Sequence, residues 1–196
     1  MSWLETFLQK HSSEFFVRVD DDFLQDNFNF YGIKDRMTNF KEASNLLLND
    51  QLSPKVTDPK AIKKKAAILY GHIHQRFLST PEGLEKMYKK YRRSHFPKCP
   101  RVYCKNVSCL PYGVSDQPGE YKMMFYCPNC NDVYDLNLPD FENVDGAFFG
   151  PSYVHILFQK YPEIVPTQPQ KRYVPNLFGF GLCKESDVQI TNEDQE

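Results

Sequence analysis

The sequence contains no unbroken run of about 18 apolar residues, so it predicts no transmembrane helix and no membrane partner. It begins Met-Ser-Trp-Leu-Glu and lacks the basic residues and apolar core of a secretory signal. We therefore expect the chain in the cytoplasm and nucleus, which are reducing compartments. There the six cysteines are expected to bind metal rather than to pair as disulfides.

Sequence motifs that serve catalysis are also absent. The chain has no glycine-rich phosphate loop, no HRD or DFG element of a kinase, and no G-x-S-x-G nucleophile motif. Asp145-Gly146 does not form a kinase motif, because Ala147 follows it and no catalytic loop precedes it. We predict that the chain is not an enzyme.

The spacing of apolar residues predicts an α+β fold, in which an N-terminal all-α part precedes a zinc-ribbon-like β part and an extended C-terminal arm. The clearest helix spans residues 59–79, where apolar residues recur every three or four positions. Thr80 and Pro81 predict the start of another helix, and Ser2 with Glu5 predicts a capping box. The predicted units are a helical domain (1–95), a zinc-ribbon domain (96–158), a proline-spaced arm (159–183) and a flexible acidic tail (184–196).

Four cysteines form two closely spaced pairs. Four residues separate Cys99 from Cys104, two separate Cys127 from Cys130, and 22 lie between the pairs. Two short knuckles that each offer two thiolates can close a tetrahedron around zinc. We predict one structural zinc ion per chain. A zinc-dependent enzyme is the weaker reading, because four thiolates leave no open coordination position.

Cysteines and histidines outside these pairs are given structural roles. Cys109 and Cys183 are predicted to behave as small apolar side chains. His72 and His74 are two residues apart, so on a helix they point in different directions and do not form a metal pair.

Charge is distributed unevenly along the chain, which suggests a nucleic-acid-binding zinc ribbon as an alternative function. Residues 55–105 carry 3 acidic and 14 basic side chains, and in residues 86–93 two tyrosines are interleaved with five basic residues. However, Tyr88 and Tyr91 fit the buried face of the predicted helix. The cysteine-containing segment is also less positive than a ribbon that reads DNA would be.

Six ordered motifs give the chain a family resemblance. They are EFFVRVDDDFLQD (14–26), LYGHIH (69–74), CPRVYC (99–104), YCPNCNDVY (126–134), DGAFFG (145–150) and VPNLFGF (174–180). Together they resemble the regulatory (beta) subunit of the protein kinase casein kinase II, over about residues 12–182. The resemblance includes the four-residue and 22-residue cysteine spacings.

The resemblance implies a non-catalytic regulator of a serine/threonine kinase. It implies a homodimer joined through the zinc domains, with two catalytic subunits docked on that dimer to give a heterotetramer. In the family, the regulatory subunit stabilises the catalytic subunit and changes its choice of protein substrates.

A patch beside the cysteine knuckles is the predicted dimer interface. If the metal holds these residues on one face, they form an apolar surface that a symmetric copy can cover. The alternative is that they pack within the monomer under the helical part. The residues are Pro100, Val102, Tyr103, Val133 and Tyr134.

The end of the arm is predicted to dock the catalytic subunit. Alternation in residues 177–182 indicates a short strand or hairpin, from which Phe178 and Phe180 would point the same way. Paired aromatic rings on an exposed hairpin suit a groove on a partner, although the arm could instead pack on its own chain. The predicted docking residues are Leu177, Phe178, Gly179 and Phe180.

Residues 49–65 depart from the family pattern. The family carries an acidic loop associated with polyamines, whereas the matching region here, residues 49–65, is rich in lysine. We expect this surface to favour anionic partners instead.

Overall fold

The computed structural model describes residues 2–10, 15–54, 56–136, 138, 144–167 and 173–181. The chain is a mixture of helix and sheet, as the sequence predicts. Its α-helices are α1 (Trp3–Lys10), α2 (Asp21–Gln25), α3 (Phe40–Asn49), α4 (Pro59–Leu78), α5 (Pro81–Arg92) and α6 (Tyr153–Lys160). Its strands are β1 (Leu110–Tyr112), β2 (Met124–Cys127), β3 (Asp132–Tyr134), β4 (Asn176–Leu177) and β5 (Phe180–Gly181). The predicted acidic tail and Cys183 lie outside the described residues.

Helix α1 begins with the predicted capping box. The amide of Glu5 donates to Ser2 Oγ at 3.2 Å, and the amide of Ser2 donates to Glu5 Oε2 at 2.8 Å. This reciprocal pair satisfies amide groups that the first helical turn leaves without partners. The capping-box prediction is therefore confirmed.

Helix α4 is the centre of the helical part. Asp58 caps its start by accepting from the amides of Lys60 and Ala61 at 3.0 and 3.1 Å, and Pro59 occupies the first helical position. The predicted apolar face is buried: it consists of Ile62, Ala66, Leu69, Ile73 and Phe77.

Helices α4 and α5 follow each other closely. Thr80 caps α5 by accepting from the Gly83 amide at 3.1 Å, and Pro81 begins the helix as predicted. The two helices approach so closely here that a Cβ on Gly83 would lie 2.0 Å from the Phe77 carbonyl oxygen. Glycine is required at this position because no side-chain atom fits.

Three short strands form an antiparallel sheet in the order β1-β2-β3. Its register pairs Leu110 with Tyr126 and Phe125 with Tyr134. The sheet and the helices share one continuous apolar core, which extends from α1 to the residues after α6. Phe15 links the two parts, because its ring lies 5.4 Å from the ring of Phe125 in an edge-to-face contact.

Helix α6 is a feature that the sequence analysis did not predict. It crosses the predicted boundary at residue 158, so the arm begins with helix rather than with extended chain. The helix buries Tyr153, Val154 and Leu157. After it, the Tyr161 ring stacks on the Tyr88 ring of α5 with a centroid distance of 3.9 Å. The helix forms because no proline interrupts it before Pro162.

Candidate metal centre and partner surfaces

The four predicted ligands come together at one point. Cys104 ends a short 3₁₀ turn, Cys127 ends β2, and Cys130 lies in the turn before β3. The four Sγ atoms all lie within 4.8 Å of one another. The sulfur atoms of Cys99 and Cys130 are 3.6 Å apart, and those of Cys104 and Cys127 are 3.4 Å apart.

This geometry fits a tetrahedral metal site. Four sulfurs that each lie about 2.3 Å from a zinc ion are separated from one another by about 3.8 Å. The two closest pairs are near that value. The four cysteines are therefore positioned to bind a metal ion, and they are the set that the spacing predicts. Cys109 is fully buried but does not belong to this cluster.

Left-handed backbone conformations shape the two knuckles. Lys105 and Asn106, just after Cys104, have φ values of 56° and 59°, and Asn131, just after Cys130, has a φ of 51°. Such values are uncommon outside glycine, and asparagine tolerates them better than most residues do. In each knuckle the chain therefore turns directly after the second cysteine.

Donors surround the sulfur atoms. Asn129 Nδ2 lies 3.3 Å from Cys104 Sγ, Arg101 Nη1 lies 3.7 Å from Cys130 Sγ, and the Cys130 amide donates to Cys127 Sγ at 3.4 Å. Donors of this kind stabilise negative charge on thiolate ligands and orient them. The sequence analysis missed Arg101 and Asn129, although both lie between ligands of the same pair.

The thiols differ in how easily they lose a proton. Burial raises the pKa of the Cys99 and Cys104 thiols. Burial also acts to raise the pKa of Cys130, but hydrogen bonds from Tyr134 and Arg101 and from nearby cysteines lower it to about 7. Because metal ligands must be thiolates, metal binding here releases protons and weakens as the solution becomes acidic.

The predicted dimer residues are divided between surface and core. Pro100, Val102 and Tyr103 are exposed, with Val102 90% accessible, whereas Val133 and Tyr134 are half-buried against the apolar core. Contact with another surface would remove the apolar Val102 side chain from water, which is favourable in free energy. Burial of Val133 and Tyr134 within the chain leaves them only partly available to a partner.

The predicted docking residues form a hairpin, but one detail of the prediction is wrong. Phe178 does not lie on the strand with Phe180. It occupies the two-residue turn between β4 and β5 together with Gly179, with φ values of 50° and 89°. A two-residue hairpin turn favours positive φ at both positions, and Gly179 supplies one at no steric penalty. The rings of Phe178 and Phe180 are nevertheless 93% and 78% exposed.

The basic stretch of α5 is largely engaged inside the chain. Lys86 Nζ donates to the Arg18 carbonyl at 3.0 Å and also pairs with Asp20, and Lys90 Nζ donates to the Phe16 carbonyl at 2.5 Å. These lysines therefore hold the segment before α2 against α5. Because these two lysines contact the chain itself, they are less available to a nucleic acid, which argues against the nucleic-acid-binding alternative.

His74 has a structural role, as the sequence analysis expects. It is fully buried, its Nδ1 lies 2.7 Å from the Phe148 carbonyl oxygen, and its Nε2 accepts from the Val17 amide at 3.2 Å. The ring is therefore neutral, with its proton on Nδ1. It joins α4 to two distant segments of the chain.

A family comparison identifies the chain. The model of the casein kinase II regulatory subunit family matches residues 2–181. The chain belongs to this family. Among its relatives is the casein kinase II subunit beta of Dictyostelium discoideum, 34% identical over 195 residues, which cover 97% of this chain and 73% of the relative. That of Schizosaccharomyces pombe is 40% identical over 180 residues, covering 91% and 78%.

The casein kinase II subunit beta′ of Drosophila melanogaster is also similar, with 38% identity over 183 residues, covering 92% of this chain and 84% of the relative. These casein kinase II relatives confirm the resemblance seen in the six motifs. The chain is thus a regulatory, non-catalytic subunit of a protein kinase by family. Within the described residues, no helix has the length and apolar character needed to cross a membrane.

Proposed function

We propose that this casein kinase II regulatory subunit holds one structural zinc ion at Cys99, Cys104, Cys127 and Cys130, and forms a homodimer around that zinc domain. The dimer docks two catalytic subunits through the β4–β5 hairpin, stabilises them and changes their selection of protein substrates. The observation that carries the proposal is the family match over residues 2–181, which includes both the cysteine cluster and the hairpin.

Exposed apolar residues beside the cysteine cluster support the dimer. Val102 and Tyr103 belong to the turn that leads into Cys104, so the metal that fixes the turn also fixes their position. A second copy can cover them with the same patch, as a two-fold interface requires. Pro100 is also exposed and belongs to the proposed patch, together with Val133 and Tyr134, which are half-buried against the apolar core.

The hairpin supports docking of the catalytic subunit. An isolated two-stranded hairpin is marginally stable in water. This one presents Leu177, Phe178 and Phe180 to solvent, which is unfavourable unless another surface receives them. Buried aromatic anchors dominate the binding energy of many interfaces.

The proposal extends to organisation and location. We propose the order of a helical domain, a zinc-ribbon domain and an arm that carries the docking hairpin. We also propose that the protein works in the cytoplasm and nucleus, where a reducing environment keeps the four cysteines free of disulfides and available to bind metal.

Sedimentation of the purified chain with a casein kinase II catalytic subunit tests this function. The chain alone should sediment as a dimer, and the mixture should reach a limiting stoichiometry of two catalytic subunits per dimer. The complex should also raise the thermal stability of the catalytic subunit. A zinc-loaded chain that remains monomeric and does not bind the catalytic subunit at micromolar concentration would overturn the proposal.

A further inference from the structure

An apolar cavity lies between α1 and the first half of α4, away from the cysteine cluster. Its volume is about 640 Å³, within the range of small-molecule sites. Trp3 and Phe7 of α1 line one side, Ala67 and Ile68 of α4 line another, and Phe148 lines a third. The rings of Trp3 and Phe7 stack at 5.4 Å, so α1 presents a flat aromatic wall.

The polar groups that line this cavity are mainly cationic. Lys63 and Lys64 contribute to it and are exposed. Among the residues that the structure describes, neither lysine forms an ion pair with a carboxylate. The Thr6 hydroxyl also lines the cavity, but it already donates to the Ser2 carbonyl at 3.0 Å.

The positive charge at the cavity edge comes from the two lysines themselves, since the effect of a helix dipole falls off within its first turn. They lie in the second turn of α4, whereas the positive pole of the dipole is at the N-terminal end of the helix. Asp58 at the N-cap offsets part of that charge, but its carboxylate accepts from the first amides of the helix. An anion at the cavity edge would therefore be attracted, whereas a cation would be repelled.

We propose that this cavity binds a small amphipathic carboxylate, a fatty-acid-like molecule with a single apolar chain. Its chain would occupy the aromatic and aliphatic space between α1 and α4, and its carboxylate would be neutralised by Lys63 and Lys64. The charge of the lysines selects the head group, and the apolar walls select the tail. This site is separate from the proposed dimer and docking surfaces.

The chain has a built-in reporter for this test, because Trp3 is its single tryptophan and lines the cavity. The full-length, zinc-loaded protein is titrated with octanoate, decanoate and dodecanoate below their micelle concentrations, while Trp3 emission is recorded. The dissociation constant should fall about fourfold for each added CH₂ that becomes buried. Calorimetry of the same titrations checks that the emission change reports binding.

Head-group selectivity is tested with three ligands that carry the same ten-carbon chain. Decanoate should bind more tightly than 1-decanol, and decyltrimethylammonium should bind least. The double variant Lys63→Gln/Lys64→Gln should weaken decanoate about fivefold and leave 1-decanol unchanged. The matched control is Lys41→Gln/Lys60→Gln, which removes two exposed lysines outside the cavity lining and should bind decanoate as the wild type does.

A third variant tests the position of the tail. Ala67→Leu places additional carbon atoms inside the cavity and should weaken decanoate and 1-decanol alike, while circular dichroism and zinc content show that the fold is intact. The proposal is overturned if decanoate leaves Trp3 emission and the calorimetric signal unchanged. It is equally overturned if decyltrimethylammonium binds as tightly as decanoate, or if folded Ala67→Leu binds both ligands normally.

Discussion

The helices up to Arg92 and the strands after Cys99 hold together by different means. Helix α4 alone buries large side chains completely, including Leu69, Tyr70 and Ile73, so apolar burial stabilises the helical part. The three strands of the sheet contain only three or four residues each, and a sheet of that size buries little surface. A metal ion bound at the proposed zinc site would supply the stability that the sheet lacks, since metal binding in such sites contributes directly to folding.

The largest effect should therefore come from removing one metal ligand. Cys127→Ser should abolish zinc binding, which contributes on the order of 10 kcal/mol in comparable sites. The sheet should unfold, and dimer formation and kinase docking should disappear with it, while most of the helical circular dichroism remains. Zinc content measured by elemental analysis should fall from one ion per chain to none.

Cys109→Ala is the matched control for this change. Cys109 is as buried as Cys127 and hydrogen-bonds to its side chain, but it is not part of the cluster of four. This variant should keep one zinc ion per chain and its dimer. If Cys127→Ser keeps one zinc ion per chain, Cys127 is not a required ligand. If it loses zinc but still sediments as a dimer, the sheet does not depend on the metal.

The helical part can be tested through the protonation of His74. Burial, reinforced by the nearby Lys90 charge and opposed by the hydrogen bond to the Phe148 carbonyl, lowers the pKa of His74 to about 4. The unfolded chain takes up this proton near pH 6.5, so it binds more protons between those values. The stability due to the neutral ring is complete above about pH 6.5, and about 3 kcal/mol of it is lost as the pH falls to 4.

Urea unfolding at several pH values measures this contribution. His74→Asn should be less stable than the wild type at pH 7, but its stability should fall less steeply between pH 6.5 and 4. Comparing the two proteins at each pH removes the shared effect of acid on the metal site. His155→Asn, at an exposed histidine, serves as the control. Parallel pH profiles for wild type and His74→Asn would contradict the prediction.

Much of the helical part could be predicted because its signals are local. Asp58-Pro59 and Thr80-Pro81 begin α4 and α5 through hydrogen bonds within a few residues, so sequence alone locates them. Helix α6 was missed because its eight residues lie between a cysteine-rich segment and several prolines. Those prolines favour an extended chain and so predicted an arm without a helix. The hairpin was predicted, but the position of Phe178 in its turn depends on a register that alternation does not determine.

The cluster of four cysteines was the most predictable part of the candidate site, because the spacing of its cysteines can be read from the sequence. The donors around it were less visible, since Arg101 and Asn129 contact sulfurs of the opposite pair. Contacts such as that of Lys90 with the Phe16 carbonyl depend on how distant segments pack, and no local pattern indicates them. Residues 86–93 resembled a nucleic-acid-binding surface in the sequence, but Lys86 and Lys90 instead contact other segments of the same chain.

A change in the hairpin should affect binding without affecting the apolar core or the cysteine cluster. Phe180→Ala should weaken docking of the catalytic subunit by about 2 kcal/mol or more, because exposed aromatic anchors often dominate an interface. Zinc content, dimer formation and unfolding temperature should not change. Phe28→Ala is a closely matched control, since both rings are 78% exposed. Equal affinity of both variants, measured by calorimetry, would show that the hairpin is not the docking site.

The smallest effect should come from the N-terminal cap of α1. Ser2→Ala removes the acceptor of the Glu5 amide and should destabilise the chain by about 1 kcal/mol. The loss should be local, so Trp3 emission should change at a lower urea concentration than the circular dichroism of α4 does. Ser44→Ala, which removes a hydroxyl within α3, should leave Trp3 emission unchanged. If Trp3 and α4 still unfold together in Ser2→Ala, α1 belongs to the same cooperative unit as the central helix rather than to a separately fraying edge.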